Sequence, residues 1–223
     1  MKLPLSNRLL ACCDYVSKGD RIADVGCDHG YLSIHLLTSG IARSAIASDV
    51  AEGPLLSAQR NARKFGVSKN ISFHLSDGVQ NIPRDFDTLV CAGMGADTMI
   101  SILEAAPWLR DSRYRLILQC QSKRPELRKY LYEQGFAIRR ETLAQDGKFI
   151  YTIMDVAYAP GESLSGAEYY ITPALLQSGS PLLSAFIARV TDGIAKTVEG
   201  LQRTGGERYE EYKQILEQLR SLI

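Results

Sequence analysis

Between residues 20 and 157, apolar runs of strand length alternate with amphipathic segments of helical length, and no other feature limits the fold as much. "RIADVG", "SAIASDV", "ISFHLSDG", "FDTLVCAGMG" and "YRLILQCQ" read as strands. Several are near-continuously apolar, as strands covered on both faces must be. "YLSIHLLTSG", "EGPLLSAQRNARKFGV", "ADTMISILEAA" and "KRPELRKYLYEQGF" read as helices, closed by Gly40, Gly66, Pro107 and Gly135. This alternation predicts an α/β, Rossmann-like domain on a mostly parallel sheet. The alternation breaks at its end. "FAIRRETLAQ" and "KFIYTIMDVAY" flank "DG" with no helix between them, so they are expected to pair as an antiparallel terminal hairpin.

After Tyr158 the composition changes. "APGESLSG" reads as a linker, and from Pro173 onward the chain looks helical. Leu183, Ile187, Val190, Ile194, Val198 and Leu201 recur at helical spacing; "TGG" (204–206) interrupts them; Tyr212, Leu216, Leu219 and Ile223 resume the stripe. Two such helices predict a C-terminal α-helical hairpin of coiled-coil type. The organisation expected is a domain over 1–158 and a linker plus helical hairpin over 159–223. From Glu162 onward there are six Lys/Arg and eight Asp/Glu, which leaves a surplus of +3 on the α/β part.

The turn "DVGCDHG" (24–30) indicates the ligand. A dinucleotide turn wants G-x-G-x-x-G, with a glycine where this chain has Asp28. A carboxylate facing a pyrophosphate is electrostatically unfavourable, and the chain has no G-K-[ST] phosphate loop. The loop suits a cationic ligand without phosphate, and S-adenosylmethionine, with its sulfonium and α-ammonium, fits. Asp24 and Asp28 are expected to face its amino-acid end, while Gly26 and Gly30 admit backbone closely. Asp49, 23 residues after Gly26, is placed either to accept from ribose hydroxyls or simply to cap the next helix. Asp77 and Gly78 end the third strand, where a carboxylate can accept from an adenine amino group. "AGMG" (92–95) ends the fourth. All four features fall at C-terminal ends of consecutive strands, where open α/β sheets bind ligands.

These motifs resemble those of class I S-adenosylmethionine-dependent methyltransferases over about residues 15–157. More closely, "LSNRLLACCDYV", "IADVGCDHGYLSIHL", "VCAGMG" and "DGKFIYTI", followed by a helical tail, resemble the bacterial TrmK family, tRNA methyltransferases that modify N1 of adenine 22. The chain departs from that family at Ala96, where a second glycine is usual, and at Gln119-Cys120-Gln121, where the family has a "QPN"-like stretch. The resemblance implies a class I methyltransferase sheet, S-adenosylmethionine as methyl donor without a metal, and tRNA as partner. It implies a cofactor site of Arg8, Asp24, Gly26, Cys27, Asp28, His29, Gly30, Asp49, Val50, Asp77, Gly78, Ala92, Gly93 and Met94. Gly95, Gln119, Gln121, Lys148, Phe149 and Tyr151 are expected on the acceptor side. Asp28 and His29 are the candidate catalytic side chains. Arg8 is expected either to close over the methionine end or to be a solvated surface charge.

Adenine N1 carries an in-plane lone pair, so no proton must leave before attack and a general base is optional. The chain also lacks the [DN]-P-P-[YF] stretch that positions exocyclic amino groups. Phosphate contacts are expected from among Arg60, Arg63, Lys64, Lys69, Lys123, Arg124, Arg128, Lys129, Arg139 and Arg140. The net charge of +1 argues against binding nucleic acid by bulk electrostatics. No window is apolar enough to span a membrane, the N-terminus does not read as a signal peptide, and a cytoplasmic protein is expected. The five cysteines show no metal-ligand spacing. The helical hairpin is a candidate tRNA clamp or a homo-oligomer contact. A methyltransferase acting on protein or a small molecule, and a non-catalytic binding module, are the alternative readings.

Overall fold

The structure, a computed structural model, describes residues 3–203 and 205–222. Thr204 of the expected Gly-Gly turn and Ile223 of the apolar stripe lie outside the described residues. The strands are β1 (Arg21–Val25), β2 (Ser44–Asp49), β3 (Ile71–Leu75), β4 (Thr88–Met94), β5 (Arg115–Cys120), β6 (Phe136–Asp146) and β7 (Phe149–Tyr158). They form one sheet in the order β3-β2-β1-β4-β5-β7-β6. β1 to β5 pair in parallel, and β7 enters antiparallel between β5 and β6. This is the mostly parallel sheet with an antiparallel hairpin that the sequence pattern predicts.

The central strands read as continuous apolar runs because both faces are covered. Ile22, Val90 and Ile117 face α1 (Asn7–Cys13), α2 (Tyr31–Thr38) and α3 (Glu52–Lys64). Their neighbours Ala23, Leu89, Cys91, Leu116 and Leu118 point the other way, towards α4 (Ala96–Glu104) and α5 (Arg124–Glu133). All five cysteines are buried, and desolvation raises their thiol pKa values, Cys12 and Cys91 to about 12. They serve as small apolar residues.

β6 and β7 run eleven and ten residues, against six in β5, so their tip overhangs the C-terminal edge of the parallel strands. There Asp146 accepts from the backbone amides of Asn7 (3.0 Å) and Arg8 (3.3 Å). Helix α1, which the alternation does not single out, is thereby capped by a residue from the far end of the domain. Its own N-cap, Ser6, makes no side-chain cap bond.

The tail is not a free coiled coil. Leu164 of the expected linker is buried, and a 3-10 turn at Gly166–Tyr169 carries a Ser165–Glu168 capping box. Helix then comes in three pieces, α6 (Pro173–Leu176), α7 (Leu183–Leu201) and α8 (Glu207–Arg220). Ile187, Ile194, Leu216 and Leu219 of the stripe are buried together with Phe186, Ile215 and Leu143 of β6. The segment is fastened by Arg128 of α5, which is fully buried. Its guanidinium pairs with Glu141 and donates to the carbonyls of Tyr169 (2.9 Å) and Tyr170 (2.7 Å). Glu141 also accepts from Thr172 Oγ1 at 2.5 Å, and Thr172 Oγ1 caps α6 by accepting from Leu175. Arg128 is therefore unavailable to RNA phosphate, contrary to the sequence expectation.

Arg128→Met strands the Glu141 carboxylate in the interior, and denaturant unfolding is expected to show a loss of about 3–5 kcal/mol. The double variant Arg128→Met/Glu141→Leu, which leaves no orphaned charge, is expected to recover most of it.

Candidate functional site

The glycine turn leaves β1 with Gly26 and Cys27 both donating to the Ser48 carbonyl of β2, each at 2.9 Å. Gly26 has φ +71°, and a Cβ there would lie 2.3 Å from Met94 Cε. Gly30 (φ +69°) starts α2, and a Cβ would lie 2.9 Å from Ala58 Cβ in α3. Position 28 has φ +50°, a left-handed conformation that Gly, Asn and Asp tolerate best. The residue type between the two glycines therefore has a backbone reason. Asp28 donates its amide to Asp49 Oδ2 (3.1 Å), and its side chain is exposed. His29 Nε2 lies 3.6 Å from Asp28 Oδ1, also exposed, and its carbonyl accepts from Asn61 of α3 (3.0 Å).

Two carboxylates sit beneath this loop. Asp49 closes β2, and its other oxygen accepts from the Ala51 amide at 3.1 Å, so it steadies the start of α3 and the loop together. Asp24 is 4% exposed and accepts from Ser33 Oγ of α2 at 2.7 Å. Desolvation raises its pKa to about 6, despite the Ser33 bonds, with a smaller push from Asp49. No Lys or Arg occurs in residues 24–30. Beside Asp49, Val50 is 68% exposed, an apolar face turned to solvent next to the site. Asp77 is exposed just past β3, and Gly78 (φ +58°) packs so closely that a Cβ would lie 2.8 Å from Ile102.

At the end of β4 the ladder with β5 shifts between Ala92 and Met94, and Gly93 (φ +87°) occupies the irregularity. Gln119, fully buried on β5, accepts from the Gly93 amide (3.1 Å) and from Arg8 (2.8 Å). Arg8 is thus drawn into the site, with Asp146 3.9 Å away, and is not a solvated surface charge. Gln121 donates its amide to Met94 at 2.8 Å, and Gly95 leaves room for Ser122, whose Oγ would be 2.8 Å from a Cβ.

Next to this edge opens a cleft of about 520 Å³ between the start of α5, β7 and α7. Gln121, Phe149 and Tyr151 line it, with Arg124, Tyr170, Phe186 and Tyr212. Lys148 stands apart from the cleft, with its ammonium 5.3 Å from the Phe149 ring and its carbonyl accepting from Arg189 (3.1 Å). Neither Tyr170 nor Ser33 carries a signal in the sequence, because each is defined by a partner on another element, Arg128 of α5 and Asp24 of β1. Among the described residues, no cluster of three or more His, Cys, Asp or Glu is placed to hold a metal ion, and no helix is long and apolar enough to cross a membrane.

A methyltransferase-domain model matches residues 5–154. The tRNA (adenine(22)-N(1))-methyltransferase of Bacillus subtilis (strain 168) is 36% identical over 149 residues, 66% of this chain and 63% of the relative. That alignment therefore spans less than two thirds of the relative's length. In three dimensions the crystal structure of the B. subtilis m1A22 tRNA methyltransferase TrmK superposes with a TM-score of 0.81 at 28% identity, over 99% of this chain and 96% of that one. A Streptococcus pneumoniae protein crystallised with S-adenosyl-L-methionine superposes at 0.82 with 29% identity, over 95% and 99%.

The left-handed backbone at position 28 separates stability from function there. Asp28→Asn is expected to leave the thermal midpoint within about a degree or two, whereas Asp28→Val loses about 1–2 kcal/mol in denaturant unfolding.

Proposed function

Since this chain belongs to the methyltransferase-domain family, we propose that it transfers the methyl group of S-adenosylmethionine to N1 of an adenine in tRNA, at adenine 22. One observation carries the reading. The ends of β1, β2 and β4 and the turn after β3 gather carboxylates and close-packed glycines, without a cation in the glycine loop, beside an aromatic cleft. The relatives that methylate adenine 22 support the substrate. Transfer is assigned to residues 1–158 and RNA docking to the cleft that 159–223 form with them, in a cytoplasmic enzyme.

The residues fit the donor. Asp24 and Asp49 are negative where a sulfonium and ammonium need compensation, the glycines bring backbone close, and Val50 offers an apolar face to an adenine ring. When bound, S-adenosylmethionine supplies an electrophilic methyl group. Asp49 holds the Asp28 amide in place and keeps lone pairs for ribose hydroxyls. Gln119 fixes Gly93 and Arg8, which close the methionine side. Phe149 and Tyr151 stack a base taken out of its helix, so that N1 is held within attacking distance.

Asp28 and His29 are both exposed, and although the His29 ring lies 5.7 Å from that of Tyr31, no third group among the described residues hydrogen-bonds to either side chain, a poor arrangement for a general base. None is needed, since N1 attacks through its lone pair and the product carries the positive charge. Asp28 and Asp24 stabilise that charge through space.

Incubation with S-adenosylmethionine and a tRNA transcript, followed by mass spectrometry of the digest, is expected to show one 1-methyladenosine. A transcript with guanine at position 22 is expected to show none. Methylation confined to protein or small molecules would overturn the tRNA reading.

Cofactor affinity is expected to depend on Asp24. Its carboxyl binds a proton more readily in the folded protein than in the unfolded chain. This group therefore costs the free protein stability as pH rises from about 4 to about 6, with no further change above. A cationic ligand favours the carboxylate. Calorimetric titration should find full affinity above pH 6, and below it a decline approaching about tenfold per pH unit. Asp24→Asn should flatten that profile.

A further inference from the structure

The cleft between α5, β7 and α7 contains cations that methyl transfer does not use. Lys123 is paired with Asp97 at 2.7 Å, and Arg128 with Glu141. Arg124, the first residue of α5, differs. It is half-buried, its guanidinium lies 5.1 Å from the Phe186 ring centroid, and no carboxylate or hydrogen-bond acceptor reaches it among the described residues. Burial lowers its pKa below the ordinary arginine range. Arg189, facing it from α7, has no carboxylate partner among the described residues and donates only to the Lys148 carbonyl. Among the described residues, Glu126 is the sole acidic one lining the cleft.

A desolvated guanidinium without a counter-ion is costly unless a ligand supplies the anion. Phe186 meets the Arg124 guanidinium with its ring and takes no hydrogen bond from it, which leaves the N–H groups for a forked pair of oxygens, as a phosphate offers. The cleft volume of about 520 Å³ lies within the range of small-molecule sites, and Phe149 and Tyr151 add ring faces for bases.

We propose that Arg124 binds a backbone phosphate of the RNA strand that enters this cleft, with Arg189 holding the same strand from α7. The tail then contributes to substrate binding by placing Phe186 beneath Arg124 and Arg189 across from it. This inference rests on the tRNA reading above.

The test measures tRNA binding by fluorescence anisotropy across a series of salt concentrations, together with methylation kinetics, on the full chain. Arg124→Gln is expected to weaken tRNA binding about tenfold or more. It should raise KM with kcat nearly unchanged, and reduce the slope of log affinity against log salt by about 1. Arg124→Lys should restore the slope but not the affinity, because the fork is lost. Arg189→Gln, at an exposed position where folding is not in question, should shift both in the same direction by less. S-adenosylmethionine affinity should stay at the wild-type value in all three. Lys18→Gln, which removes an exposed charge just before β1, at the N-terminal end of the parallel strands, sets the baseline. If wild type binds and methylates tRNA while Arg124→Gln and Arg189→Gln match Lys18→Gln, the phosphate assignment falls alone. A wild type that neither binds nor methylates tRNA overturns it together with the proposed activity.

Discussion

The buried pair of Arg128 and Glu141 decides how the helical tail meets the sheet. Arg128 belongs to α5, Glu141 to β6, and the carbonyls and hydroxyl that complete their shell come from Tyr169, Tyr170 and Thr172. Two charges taken out of water are tolerated when such hydrogen bonds compensate them, and these hold the segment after β7 to one position although Arg128 Nε itself is left without a partner among the described residues. That position puts Phe186 and Arg189 of α7 opposite Arg124 and Tyr151. The cleft beside the C-terminal edge of the parallel strands is thus a consequence of one buried ion pair, whose Arg128 borders it.

A second constraint acts at the sheet edge. The loop from Gly26 to Gly30 follows a path with three positive φ values, and it is pinned by Ser48 on one side and Asp49 on the other. Close packing against Met94 and Ala58 removes room for side chains at the two glycines. Position 28 shares the backbone conformation but not the crowding, and so carries an aspartate. The electrostatic consequence is a loop edge with acidic groups at Asp24, Asp28 and Asp49, suited to a cationic donor and not to a pyrophosphate.

Much of this was legible in the chain. Strand-length apolar runs are distinctive when both faces are buried, and all seven strands lie where the pattern placed them. The terminal hairpin followed from "DG" between two strand-like runs. Helix α1 escaped notice because it is seven residues long and draws its cap from Asp146, 139 residues away from the amide it caps. The reading of "APGESLSG" as a linker missed the docking of Leu164. A polar, glycine-containing stretch does not reveal that one leucine has a pocket waiting. Phe186 and Ile215 fell outside the spacing of the apolar stripe because the tail packs against β6 and β7 as well as against itself.

The sequence alone determined the class of fold and the character of the ligand edge. Both depend on local regularities, namely hydrophobic period, glycine position and the sign of charge in a short loop. Tertiary structure decided which charges are free to act. Arg124 and Arg128 are four residues apart on one helix and look equivalent in the sequence. Glu141 neutralises the second and leaves the first bare, because a charge's availability depends on what the fold places beside it.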